Sequence, residues 1–132
     1  MKLMPLLPTA GITIQLPFAT PSQNVYQRWH WRERNRYRDT VTSLIRAHLL
    51  ATLAALPRVA PYRVGLEVLR QGLRDMDYGN LVGGCKPVLD ALVKVGVLYD
   101  DAPKWVREHY DQERVPRGRE RTRLWAYPAI ES

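Results

Sequence analysis

The chain has 132 residues, 45% hydrophobic and 25% charged, the length and composition of one globular domain, so a single domain over 1–132 is expected. Twenty Lys and Arg against 13 Asp and Glu leave a net charge of +7. That excess favours a polyanionic partner, because basic side chains release counterions from nucleic-acid phosphates. A lone cysteine, Cys85, rules out an internal disulfide and, without Cys or His neighbours, a zinc site, which suits a reducing cytoplasm.

At the N-terminus, MKLMPLLPTAG has its apolar run broken by Pro5 and Pro8 and only Lys2 before it, so it is not read as a signal peptide. No window approaches the roughly 18 consecutive apolar residues of a membrane span. Ile12, Ile14, Leu16 and Phe18 alternate with Thr13, Gln15 and Pro17, predicting a half-buried strand over about 11–17. Residues 19–36 mix Pro, Ser, Asn, Arg and Trp without a period and read as a loop leading into a helix.

From Tyr37 to Leu56, Val41, Leu44, Ile45, Leu49, Leu53 and Leu56 recur at helical spacing until Pro57 stops them. Tyr62, Val64, Leu66 and Val68 alternate as a second strand. Gly79, Gly83 and Gly84 suggest a flexible, close-approach turn, and Lys86-Pro87 a helix entry, since proline is tolerated in the first turn. That helix runs from about 87 to 95 with Val88, Leu89, Leu92 and Val93 as its apolar stripe, and Gly96 stands where a left-handed cap is expected. Residues 104–115 and 119–127 read as two strands joined around Pro116-Arg117-Gly118, and the last few residues as a loose end. The expected class is α+β: a small mixed sheet with two main helices, in the order β-α-β-α-β-β.

Charge is unevenly placed. Through Arg74 there are eleven Lys or Arg against three acids, and from Asp75 onward nine against ten, so the positive field is expected in the first half. The stretch Arg74 to Asp101, RDMDYGNLVGGCKPVLDALVKVGVLYDD, holds five of the 13 acids. They form a D-x-D pair, Asp75 and Asp77, and a D-D pair, Asp100 and Asp101, with Lys86 and Asp90 between. Hard carboxylate oxygens suit Mg²⁺, which is typically held by one or two carboxylates plus substrate phosphate, and Lys86 would add a point charge. Each Asp alone reads by default as a turn former bonded to nearby amides, and Lys86 with Asp90 as an exposed ion pair one helical turn apart.

In Asn24–Arg38, NVYQRWHWRERNRYR, five arginines interleave with Tyr26, Trp29, Trp31 and Tyr37 around one acid, Glu33. Arginines track phosphates and aromatic faces stack on unpaired bases, so Arg28, Arg32, Arg34 and Arg36 are expected to contact DNA. The plainer reading is two tryptophans covering a core edge, with arginines in water. His30 and His48 lack a paired ligand pattern and read as non-catalytic. Cys85, without a basic partner, reads as a packed small residue.

The ordered set Asp75-Met76-Asp77, Asn80, Lys86, Asp90-Ala91-Leu92, Gly96 and Asp100-Asp101 resembles the RusA-type Holliday junction resolvases, phage-derived endonucleases. The half from Lys86 to Asp101 fits without gaps, and weaker similarity covers the first strand and the PSQN segment at 21–24. The resemblance implies a Mg²⁺-dependent homodimer that binds branched DNA, above all four-way junctions, and nicks two opposing strands. It assigns Asp101 as the third essential carboxylate and Lys86 as the essential lysine; the catalytic set is then Asp75, Asp77, Lys86 and Asp101, with Asp75, Asp77 and Asp101 on the metal. Superposing the D-x-D pairs keeps Asp75 and Asp77 but leaves Tyr78-Gly79 before Asn80. Superposing the asparagines puts Asp77 first and Gly79 in the second place. A non-catalytic DNA-binding protein on the same fold is the main alternative, ahead of a small RNA-binding or assembly protein.

Overall fold

The computed structural model describes residues 2–129; the chain end read as loose lies, from residue 130 on, outside them. Ten elements follow in order: β1 (Met4–Pro5), β2 (Ile12–Leu16), α1 (Gln23–Arg28), α2 (Trp31–Ala55), β3 (Arg58–Val59), β4 (Val64–Gly72), α3 (Tyr78–Gly84), α4 (Lys86–Val95), β5 (Val106–Arg114) and β6 (Arg121–Pro128). The α+β class is as expected. Four strands form one mixed sheet in the order β2-β6-β4-β5, with β4 and β5 parallel and the other pairs antiparallel. The short β1 and β3 pair separately.

Strand alternation decides which sheet face is covered. Ile12, Ile14 and Leu16 of β2, Leu124 and Ala126 of β6, and Leu66 and Val68 of β4 are buried. They join Val41, Ile45, Leu49 and Leu53 of α2 and Val88, Leu89, Ala91 and Leu92 of α4 in one core. The intervening Thr13, Gln15, Arg123 and Trp125 are exposed on the opposite face. Helix α4 follows its sequence signals: Pro87 sits in its first turn and Gly96 caps it at φ 99°, its N–H reaching the carbonyls of Leu92 and Val93 at 3.1 and 3.2 Å.

Two expected irregular stretches are helical. Residues 19–36 are not a loop, for α1 and the first turns of α2 lie there. Ser22 caps α1, its hydroxyl accepting from the Val25 N–H at 3.1 Å, and the His30 ring Nδ1 accepts from the Arg32 N–H at 3.1 Å to start α2. Helix α1 buries no residue and the first buried residue of α2 is Val41, so no apolar period marks either stretch, while Arg and Glu are good helix formers. The glycine segment is helix α3, capped by Asp77. Its glycines answer to packing: a Cβ on Gly84 would lie 1.9 Å from the Pro21 carbonyl oxygen, so the close approach is real although the turn is a helix.

At the N-terminus, Met4 and Leu7 are buried, and Tyr62 ties the segment down by donating to the Pro5 carbonyl at 2.5 Å and accepting from the Leu7 N–H at 2.7 Å. Among the described residues no helix is long and apolar enough to cross a membrane.

Candidate functional site

Strands β4 and β5 finish at the same end of the sheet, where β2 also ends against the start of β6. The loop after β4 carries Asp75 and Asp77. Between them Met76 is clamped to β5: its N–H donates to the Gln112 side-chain oxygen at 3.0 Å, and the Gln112 amide donates to its carbonyl at 2.6 Å. Asp75 faces Arg114 across 3.5 Å, both exposed, a contact worth roughly 0–1 kcal/mol in water.

Asp77 is held from one side by Asn80, whose backbone N–H and side-chain amide donate to its two oxygens at 2.9 and 2.8 Å. These bonds keep its carboxyl below the usual range. The Asn80 oxygen in turn accepts from the Asn24 N–H at 3.0 Å. The D-x-D element and the PSQN segment, 56 residues apart, are thus one hydrogen-bonded unit.

Lys86 opens α4 and bridges two acids. Its ammonium lies 3.2 Å from an Asp90 oxygen, one turn along the helix, and donates directly to Asp101 from the following loop. The hydrogen bond to Asp101 is the chief cause that raises Lys86 above the ordinary lysine value and holds Asp101 below the ordinary carboxylate value. Asp100 fixes the local turn, its side chain accepting from the Asp101 N–H at 2.8 Å.

The structure therefore brings Lys86, Asp90 and Asp101 together, and separately Asp77 with Asn80 and Asn24. Asp75, Asp77 and Asp101 do not come together as one ligand set: among the described residues no three His, Cys, Asp or Glu side chains converge as a metal centre requires. In donor chemistry the residues suit a hard cation, since Asp77 and Asp101 are both held ionised at neutral pH and offer only oxygen. Beside Asp77, position 79 is open: a Cβ on Gly79 would meet only the Asp77 Oδ1, at 3.5 Å.

The arginine group divides. Arg32 and Arg36 line a cleft along α2 with Trp31, Asn35 and Asp39. Arg28 closes α1, and Arg34, half-buried, does not line that cleft. Three of the four aromatic rings pack inward: Tyr26, Trp29 and Tyr37 lie 5.5–5.9 Å apart, with Phe18 5.7 Å from Tyr37. Trp31 alone faces outward, 55% exposed, with the His30 ring 5.5 Å and the Arg32 guanidinium 5.3 Å from its ring.

Positive charge is not confined to the first half. In space Arg70 and Arg74 join Arg117 and Arg121 in one cleft, and Arg119, Arg121 and Arg123 line another. Sequence order hides this because β5 and β6 flank β4 and the turn between them crosses its end. Gln112 and Arg114 were likewise not foreseen, since only the register of β4 on β5 brings them to the loop after β4.

Cys85 is buried beside the Thr20 hydroxyl at 3.7 Å, and burial pushes its thiol up to about 11, which makes it a packing residue. His30 caps α2 and the His48 ring meets the Thr13 carbonyl at 3.1 Å. Neither belongs to the carboxylate site. No protein-family model matches the chain, and no curated protein matches it significantly.

Proposed function

We propose that the chain is a Mg²⁺-dependent endonuclease of the RusA type that nicks branched DNA, four-way junctions in particular, as a homodimer. The observation that carries the reading is the ion pair between Lys86 and Asp101, 15 residues apart in sequence, which closes the Lys86–Asp101 half of the motif on itself. In this reading Asp75, Asp77 and Asp101, which stand apart without an ion, would hold Mg²⁺ only once it draws them together. When bound, Mg²⁺ neutralises phosphate charge and makes water a better nucleophile. Lys86, shared between Asp90 and Asp101, turns its charge to the phosphate being cut. Gln112 and Asn80 keep the D-x-D loop from moving as substrate docks.

A second reading, a non-catalytic DNA-binding protein, is favoured by one observation: each carboxylate already has a partner in Arg114, Asn80 or Lys86. Cleavage of a labelled four-way junction, with and without Mg²⁺, separates the two. The endonuclease predicts Mg²⁺-dependent paired nicks that fall by about two orders of magnitude or more in Asp101→Asn, with junction binding kept or strengthened because a negative charge is gone. Binding by the wild type without cutting in any divalent metal would leave the second reading standing.

A further inference from the structure

The connection between β5 and β6 is a tight turn. The Arg119 N–H reaches the Pro116 carbonyl at 3.0 Å with Gly118 at φ 91°, the pattern of a type II turn with glycine in its third place. The Val115 N–H fastens the turn to the Gly72 carbonyl at the end of β4 at 2.9 Å. This fixed tip separates two clefts, of 880 and 480 Å³. The larger is walled by Arg70, Arg74, Arg117 and Arg121, with Glu120 as its single acid. The smaller has Arg119, Arg121 and Arg123, with no acid in its wall.

None of these six arginines has a carboxylate within ion-pair distance among the described residues; the ion pairs present there use Lys86 and Arg114. Two are aimed by the backbone: Arg70 Nε donates to the Thr20 carbonyl at 2.7 Å, and Arg121 Nη1 to the Glu120 carbonyl at 2.6 Å. Arg121 and Arg123 stand at alternate positions of one strand, about 6.6 Å apart along it, and Arg119 continues their line. Six like charges gathered on rigid backbone, with Glu120 the single acid in the cleft walls, favour an external polyanion. The surface also adjoins the carboxylate loop, through Arg114 on Asp75 and Gln112 on Met76.

We propose that the β5–β6 turn, which crosses the end of β4, and the end of β4 itself form a second phosphate-backbone contact, distinct from the α1–α2 segment, which holds a DNA strand leading to the Asp75–Asp77 loop. It takes its substrate class from the proposed function, so binding and cutting are to be read separately.

The test is the salt dependence of binding to a labelled four-way junction without divalent metal, for the wild type and for R117A/R119A, R117K/R119K and R32A/R36A. Each lost phosphate contact lowers the slope of log affinity on log salt by about 0.9. R117A/R119A should therefore flatten the slope by about 2 and weaken binding at 0.1 M salt by tenfold or more, while R117K/R119K keeps the wild-type slope. Both substituted residues are exposed on the turn, and unchanged melting would show an intact fold. A wild-type slope in a folded R117A/R119A protein overturns the inference, as does loss of capture by phosphatidylserine vesicles alone. A slope that depends on Arg117 and Arg119 in a wild type that never cuts would overturn the nuclease reading and leave the contact in place. If R32A/R36A flattens the slope and R117A/R119A does not, the phosphates run along α2 instead.

Discussion

Residues 24–38 and 114–123 carry the same charge, five arginines and one glutamate each, yet the fold treats them differently. In the first, Tyr26, Trp29 and Tyr37 are spent on the corner between α1 and α2, and Arg34 is half-buried. In the second, a turn fastened to β4 holds the arginines outward and tertiary folding adds Arg70 and Arg74. In the first region three of the interleaved aromatic rings also close a helix corner. Charge density along the chain and charge density in space are separate quantities, and only the second meets a phosphate backbone.

The most severe way to break the comparison is at Gly84, whose missing side chain lets α3 pack on the Pro21 carbonyl just ahead of α1. Gly84→Ala forces a backbone shift there and is expected to cost about 3 kcal/mol, the upper range of overpacking. Urea unfolding measures it. The first region should also loosen in hydrogen exchange, while the amides of β4, β5 and β6, bonded within the sheet, stay protected. Equal loosening of both would mean that the two regions share one support.

How much of this was legible in the sequence follows from what each element buries. Strand β2, helix α4 and the core part of α2 announced themselves by period because each sets one face on the core. Helix α1 and the start of α2 did not, since caps at Ser22 and His30 and intrinsic propensity hold them. The candidate site divides the same way. Lys86 with Asp90 is a helical spacing and was readable, and Lys86 with Asp101 came with the resemblance. The Asp77–Asn80–Asn24 unit and the Gln112 clamp depend on which loops share one end of the sheet, which no local pattern encodes.

A smaller effect sharpens the contrast inside the first region. Trp29 makes edge contacts with Tyr26 and Tyr37 at 5.7 and 5.5 Å. Aromatic pairs contribute roughly 0.5–1.5 kcal/mol each, so Trp29→Ala should lower stability by about 2 kcal/mol. Trp31→Ala, at an exposed ring, should change stability by no more than about 0.5 kcal/mol, and weaken junction binding if that ring meets a base. Denaturant midpoints and one binding curve for each variant decide it. A large stability loss in the second variant would place Trp31 in the packing as well.

The smallest expected effect is on acid stability, and it has a definite sign. Asp77 and Asp101 are held below the ordinary carboxylate value of 3.8 in the folded chain, chiefly by Asn80 and by Lys86. The unfolded chain therefore binds protons more readily in acid. The stability these groups contribute is complete above the ordinary value and is lost as pH falls through the depressed ones. Lys86 behaves in the opposite sense: raised above 10.5, chiefly by Asp101, it contributes fully below that pH and less as pH climbs through its raised value. Because all three groups are partly exposed, solvent screening keeps the change modest. Melting temperatures from pH 7 down to pH 3 should fall less steeply for Asp77→Asn than for the wild type, because the variant has no carboxyl to protonate at the α3 cap. R117A/R119A leaves Asp77, Asp101 and Lys86 in place, so it should reproduce the wild-type acid profile. An altered profile in that variant would mean that the charge of the β5–β6 turn reaches the carboxylate loop, through Arg114 and Asp75, in the absence of DNA.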